Sequence, residues 1–256
     1  IRAIQQEGVT NSFGSPTLWR RIAAECRRRG EKLPSLRRVL CAGAAVPADL
    51  WDDARDFLPN GALHSPYGAT EALPVASVSH ADVDAASARG ACVGRPLPEM
   101  EARIIALDDR PLASLAEARP LPTGEVGEII VRGPVVTREY DGLPDANAAA
   151  KIADGGEVWH RMGDCGFIDE GGRIWFCGRK AERVETAAGT LHTEPCEQVF
   201  RPHPAAARCA LVGLGAHPRQ EPVLVVEAEP AGPAAAANLA RELRALALRH
   251  PHTASI

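Results

Sequence analysis

Apolar residues in the first third of the chain alternate between two spacings. In "SPTLWRRIAAECRRRG", Leu18, Ile22 and Cys26 recur every fourth residue. Ser15 stands ready as an N-cap, Pro16 occupies the first helical position and Gly30 is a stop, so the stretch predicts a helix. Residues 36–41, "LRRVLC", predict a strand, "PADLWDDARDFLP" a second helix from Pro47, and "GALHS" a short strand. Helices and strands alternating at this spacing predict a parallel, doubly wound sheet whose ligands gather at the carboxyl ends of the strands. "CAGAAVP" and "HSPYGATEALP" both fall on that rim.

From about residue 92 the pattern becomes β-rich. "VGRPLPEMEARII", "GEVGEIIVRGPVV" and "GFIDEGGRIWFCGR" are short apolar runs punctuated by glycine and proline, nearly without helical periodicity, and "FIDEGGRIWF" predicts a hairpin around its Asp-Glu-Gly-Gly turn. After Lys180 a helix near "EPCEQVF", strands at "CALVGL" and "PVLVVEAE", and a helix from about Ala234 with Leu239, Leu243 and Leu246 on one face predict a small α+β unit. The expected division is 1–90, an α/β part of a large domain; 91–180, its β-rich part; and 181–256, a small and incomplete C-terminal α+β domain.

Composition narrows the function classes. The 256 residues are 45% hydrophobic, enough for real cores. With 29 basic against 33 acidic residues there is no electrostatic footprint for nucleic acid. No apolar run approaches the ~18 residues of a membrane span, and no leader opens the chain, which points to a cytoplasmic protein. Seven cysteines without a CxxC pair fit reduced thiols, and eight histidines without HExxH spacing give no zinc site. The chain starts at Ile1 and stops at "HPHTASI", and so reads as a piece of something longer. "GLGAHP" at Gly213 is an incomplete dinucleotide fingerprint, without its third glycine and later acidic partner.

Four ordered stretches carry the chemistry: "YGATE", "GEVGEIIVRGPVVTREY" (124–140), "HRMGDCGFIDEGGRIWFCGRK" (160–180) and "ERVETAAG" (182–189). Together they resemble the core signatures of the adenylate-forming superfamily of acyl-CoA synthetases, luciferases and peptide-synthetase adenylation domains, which activate a carboxylate with ATP. The resemblance runs from about residue 8 to the end and implies a partial adenylate-forming α/β fold.

It also implies roles. Tyr67 and the adjoining Gly68 would face the nucleotide, the Tyr67 ring against adenine. Thr70 would bond the α-phosphate, and Glu71 would hold Mg²⁺, a hard cation suited to carboxylate and phosphate oxygens. Gly43, Ala44 and Ala45 match a small-residue turn that lets the nucleotide approach. Asp164 would accept both ribose hydroxyls, Arg179 would also contact the ribose, and Ala181 marks the hinge. "GEVGEIIVRGP" matches the family as architecture.

Within the superfamily, "FGSPTLWRRIA", "AGAAVPADL", "PYGATEALPVA" and "GTLHTEP" look most like the β-lactone synthetases of bacterial long-chain olefin biosynthesis. Those enzymes adenylate a 2-alkyl-3-hydroxy fatty acid, whose own 3-hydroxyl then displaces AMP. Their partners would be that acid and the other olefin-pathway enzymes. Ala181, Thr186 and Leu191 depart from the aspartate or lysine, lysine and arginine common in coenzyme A ligases. Gly14 and Ser15 are candidates for the acyl pocket. The family's phosphate loop is expected upstream of Ile1 and its late lysine beyond Ile256, so the fragment alone is expected to be inactive. Two other readings stay open: a fatty acyl-CoA or acyl-carrier ligase, and a catalytically silent binding module of the same fold.

Overall fold

The computed structural model describes residues 1–83, 89–206 and 208–256. Its elements run α1 (Arg2–Gln6), β1 (Asn11–Gly14), α2 (Pro16–Arg29), β2 (Arg38–Cys41), α3 (Ala48–Phe57), β3 (Ala62–Ala69), β4 (Ala72–Ser79), β5 (Ala91–Pro96), β6 (Glu101–Ile105), β7 (Gly127–Arg132), α4 (Pro144–Ala150), β8 (Lys151–Asp154), β9 (Glu157–Ile168) and β10 (Ile174–Arg179). There follow β11 (Val184–Thr186), β12 (Gly189–Leu191), α5 (Thr193–Phe200), β13 (Arg208–Leu214), β14 (Glu221–Glu227) and α6 (Pro233–Ala247).

The expected start and stop of α2 are in place. The Ser15 hydroxyl accepts from Leu18 N, and Gly30 closes the helix in the left-handed region at φ 66°, where glycine carries no Cβ penalty. Trp19, Ala23 and Cys26 of α2 and Leu50, Trp51, Ala54 and Phe57 of α3 pack over Val39, Cys41 and Leu63 on one face of the sheet. Trp19 and Phe57 stack with centroids 6.2 Å apart. On the other face, Phe13 and Leu40 face each other across β1 and β2 and are 67% and 41% exposed.

Strands β1, β2 and β3 are parallel, as expected of a doubly wound unit, but the sheet then changes direction. β3 runs past the parallel pairing, which ends at His64, and continues through Tyr67 to Ala69 as the first arm of an antiparallel hairpin with β4. The reason is the two-residue connection Thr70–Glu71, which only an antiparallel pair can use. The expected short strand is therefore an eight-residue one, and "YGATE" sits at the tip of an antiparallel hairpin.

β4 pairs with β5 and β5 with β10, so a single sheet runs in the order β1-β2-β3-β4-β5-β10-β9-β7-β6, with β8 on β9. β7 is buried on both sides: Ile129 and Val131 pack with Ala72, Val75, Met162 and Ile174, while Ile130 packs with Ile152 and Trp159. The expected hairpin is present, with Ile168 opposite Ile174. Helix α4 lies where helical periodicity is nearly absent. It is seven residues long, too short to show two turns of pattern, and starts with Pro144 at a position that needs no N–H donor.

Beyond β10, helices α5 and α6 enclose Val199, Phe200, Leu243 and Ala247 against the β13–β14 ribbon. α5 also rests on the end of β10. A Cβ built on Gly178 would lie 2.2 Å from Thr193 Oγ1, so only glycine allows this approach. Cysteines are free among the described residues, as their scattered spacing implies.

Candidate active site

The β3–β4 hairpin presents its tip beside the carboxyl-terminal half of β9. Tyr67, on β3, donates its hydroxyl proton to Asp164 Oδ2 at 2.6 Å across a sequence separation of 97 residues. Arg179, ending β10, donates Nη1 to the other oxygen, Oδ1, also at 2.6 Å. β9 and β10 are antiparallel with Arg179 directly opposite Asp164, so strand register fixes the second bond. A bulge between Phe176 and Gly178 sets that register.

Asp164 is buried, at 4% exposure, while the Arg179 side chain is 55% exposed. Burial pushes the Asp164 carboxyl up, and the Tyr67 hydroxyl and the Arg179 guanidinium oppose that rise. The same burial, with the carboxylate alongside, pushes the Tyr67 phenol well above its ordinary value. Tyr67 is thus a neutral donor and Asp164 an acceptor held from two sides. Gly68 follows, where a Cβ would meet the Ala72 carbonyl at 2.3 Å, so the hairpin closes only with glycine there.

The tip itself carries Thr70, exposed, and Glu71, half-buried. Tyr140 donates its hydroxyl to Glu71 Oε1 at 2.7 Å. That bond, ahead of the fields of His160 and Lys151, holds the Glu71 carboxyl below the usual glutamate range. Beside it, Lys151 Nζ stands 5.2 Å from the Tyr140 ring centroid. His160, 3% exposed, is held neutral with its pKa down at about 4, first by burial and then by Lys151. Its Nδ1 has no hydrogen-bond partner among the described residues.

Gly43, Ala44 and Ala45 form an exposed turn after β2, with Gly43 in the left-handed region at φ 94°. Ala42 N donates to Gly14 O at 3.2 Å, which ties the "FGSP" stretch to this turn. Ser15 is exposed beside it. Ala181 lies exposed in a one-turn 3₁₀ segment, flanked by anchored neighbours. Lys180 Nζ donates to Glu128 Oε2 at 3.0 Å, Arg183 pairs with Asp109 at 2.6 Å, and the buried Arg161–Glu128 pair lies behind them at 2.6 Å. Thr186 bonds the Gly189 carbonyl at 2.9 Å, and Leu191 faces Val184 across the β11–β12 hairpin.

The structure therefore joins Tyr67, Asp164 and Arg179 in one hydrogen-bonded unit and puts Thr70 and Glu71 at the adjoining tip. Sequence reasoning missed Tyr140 and Lys151. Tyr140 closes the quoted stretch 124–140, whose first part reads as architecture, and Lys151 lies in a segment from which the sequence gives no signal. No helix among the described residues is long and apolar enough to cross a membrane.

Two curated relatives are olefin beta-lactone synthetases. The one from Stenotrophomonas maltophilia is 51% identical over 88% of this chain and 42% of its own length. The one from Xanthomonas campestris is 46% identical over 99% of this chain and 47% of its own length. The chain thus spans a little under half of each. Among solved structures, the amide bond synthetase McbA of Marinactinospora thermotolerans superposes with a TM-score of 0.80 at 28% identity, covering 100% of this chain and 48% of that one. The family model described as AMP-binding enzyme matches residues 1–141, more than half of the chain. The chain belongs to the AMP-binding enzymes, with the hairpin tip and the Tyr67–Asp164 bond inside or against the matched region.

Proposed function

We propose that the protein of which this chain is a part activates a carboxylic acid with ATP as an acyl-adenylate, and that its substrate is a 2-alkyl-3-hydroxy fatty acid closed to a β-lactone. The observation that carries the reading is the Tyr67–Asp164–Arg179 unit beside Glu71, in a chain about half identical to two olefin beta-lactone synthetases.

The residues suit a nucleotide. Asp164 supplies a buried acceptor for ribose hydroxyls, and a carboxylate oxygen that takes one proton still has a lone pair for another. Arg179, largely exposed, is free to shift toward the ribose while staying paired. Tyr67 offers the face of its ring, and the exposed Gly43–Ala44–Ala45 turn offers no bulk against a base. Thr70, exposed at the tip, is a hydroxyl donor for the α-phosphate.

The donor set also suits Mg²⁺. Glu71 offers a carboxylate, and no cluster of three or more His, Cys, Asp or Glu side chains able to cage a metal occurs among the described residues. An ion that keeps water and phosphate oxygens around one carboxylate fits this better than one demanding a protein cage. Bound there, Mg²⁺ would neutralise phosphate charge as pyrophosphate leaves.

The chemistry is two displacements. The substrate carboxylate attacks the α-phosphorus and expels pyrophosphate; the 3-hydroxyl then attacks the activated acyl carbon and expels AMP, losing its proton. A four-membered ring does not form from a carboxylate, and holding hydroxyl and carbonyl in one molecule removes the bimolecular entropy cost. Ala181, Thr186 and Leu191 fit an enzyme with no thiol to admit.

The test is the full-length protein with ATP, Mg²⁺ and a synthetic 2-alkyl-3-hydroxy fatty acid, with and without coenzyme A, with products read by mass spectrometry and proton NMR. Lactone formed without coenzyme A is the expected result. A thioester formed only with coenzyme A makes it an acyl-CoA ligase, and no adenylation at all makes it a binding module.

A further inference from the structure

We propose that Tyr140 is a positioning residue for Glu71: its hydroxyl fixes one carboxylate oxygen so that the other is presented to the divalent cation. The proposal rests on the reading in which Glu71 holds that cation.

The geometry behind it is a clamp between two chain segments nearly 70 residues apart. Residues 133–140 leave β7 and cross the hairpin tip. Val136 makes a single antiparallel bridge to Ala72, and Thr137 N donates to the Glu71 carbonyl at 2.8 Å. The backbone of Glu71 is thereby tied to the segment that carries Tyr140. Tyr140 is itself locked: its N–H donates to Asn147 Oδ1 at 2.7 Å, and Asn147 Nδ2 donates back to its carbonyl at 2.9 Å. Lys151 closes the other side. Its ammonium donates to the Thr137 carbonyl at 2.6 Å and hydroxyl at 3.0 Å, and it faces the Tyr140 ring.

With both backbones fixed, the 2.7 Å bond from Tyr140 to Glu71 Oε1 defines the rotation of the carboxylate. Tyr140 is the side chain that hydrogen-bonds this carboxylate among the described residues, with the Glu71 backbone N–H adding a local bond to it. A carboxylate with one oxygen engaged and a fixed plane binds a small octahedral ion with less reorganisation than a freely rotating one. A merely structural Tyr140 would need its ring and its neighbours, but not the proton on its oxygen. This separates the two readings.

The experiment is a Mn²⁺ titration of the full-length protein by electron paramagnetic resonance, in the presence of a non-hydrolysable α,β-methylene analogue of ATP. Tyr140→Phe and Glu71→Gln are compared with the parent protein. Tyr140→Phe keeps the ring and is expected to weaken Mn²⁺ about 10-fold, with kcat recovering at saturating metal and analogue affinity without metal unchanged. Asn147→Ala loosens the Tyr140 backbone and is expected to act in the same direction by about threefold; it substitutes as the test if Tyr140→Phe fails to fold. Weakened Mn²⁺ in Glu71→Gln but parent-like affinity in Tyr140→Phe overturns the proposal and leaves the metal reading standing. Parent-like affinity in both variants overturns both.

Discussion

The two ends of the site are built on opposite plans. At the Asp164 end a buried carboxylate has both oxygens engaged, one by the Tyr67 hydroxyl and one by Arg179, and is 4% exposed. At the Glu71 end a half-buried carboxylate takes a side-chain hydrogen bond from Tyr140 alone among the described residues, at the tip of a hairpin. Each end pairs a carboxylate with a tyrosine, and the two carboxylates respond in opposite directions: burial drives Asp164 up, while the Tyr140 hydrogen bond draws Glu71 down. A carboxylate that is part of the packing can receive a neutral ligand such as a ribose hydroxyl at little cost, because its charge is already balanced. One left half-engaged near solvent keeps full charge for a cation. The difference predicts that changes at the first end are felt in folding and binding together, and changes at the second in metal binding alone.

The sharpest way to break that contrast is Asp164→Ala. It leaves a buried tyrosine hydroxyl and an arginine without their acceptor, at about 2–4 kcal/mol of stability. It is also expected to lower kcat/KM for ATP at least about 100-fold. Denaturant unfolding and steady-state kinetics read the two losses. Unchanged stability would mean that the Tyr67–Asp164–Arg179 unit is not part of the packing.

Glu71→Gln comes next. The amide oxygen can still accept from Tyr140, so stability should stay within about 0.5 kcal/mol of the parent. The turnover rate at limiting Mg²⁺ should fall on the order of 10–100-fold, and excess metal should restore part of it. A large loss of stability would merge the two ends into one structural network.

Much of this was legible in the chain itself, and the limits are physical. Helix α2 was readable because its cap, its first-turn proline and its stop are local signals. Asp164 and Arg179 were readable as an ordered pair because one hairpin carries both, and the resemblance supplied their roles. The antiparallel turn of β3 into β4 was not, since its cause is a two-residue connection inside what looks like a loop motif. Tyr140 was out of reach for a different reason. Its partner Glu71 lies 69 residues away, and a contact made by two segments that meet in a single antiparallel bridge leaves no periodicity to detect. The Tyr67 ring was read as a stacking surface, whereas the structure adds a hydroxyl bonded to Asp164.

That hydroxyl gives a third, smaller effect. Tyr67→Phe keeps the ring and removes one hydrogen bond to a charged acceptor, a loss of about 1.5–3 kcal/mol. Stability should fall by an amount in that range, and KM for ATP should rise about tenfold, with kcat nearly unchanged because Glu71 and Thr70 are untouched. A drop in kcat with KM intact would place the Tyr67 hydroxyl at the chemistry instead of in the proposed nucleotide contact.

The smallest expected effect concerns pH and the other tyrosine. Glu71 has its carboxyl lowered mainly by the Tyr140 hydrogen bond, with His160 and Lys151 adding to it. A lowered folded-state carboxyl contributes stability above its unfolded value and loses it as pH falls through the folded value, and on the proposed reading the same ionised form would hold the metal. Mn²⁺ binding in the parent should therefore persist below the ordinary glutamate range near 4.5. In Tyr140→Phe the acid limb should move to higher pH. His160, neutral until about 4, charges in the same window and would repel the cation as it does so. Measuring the limb in His160→Gln, with and without Tyr140→Phe, separates the two contributions. If the Tyr140 substitution leaves the limb in place in both backgrounds, the tyrosine does not set the Glu71 charge, and the contrast between the two carboxylates reduces to a difference in burial.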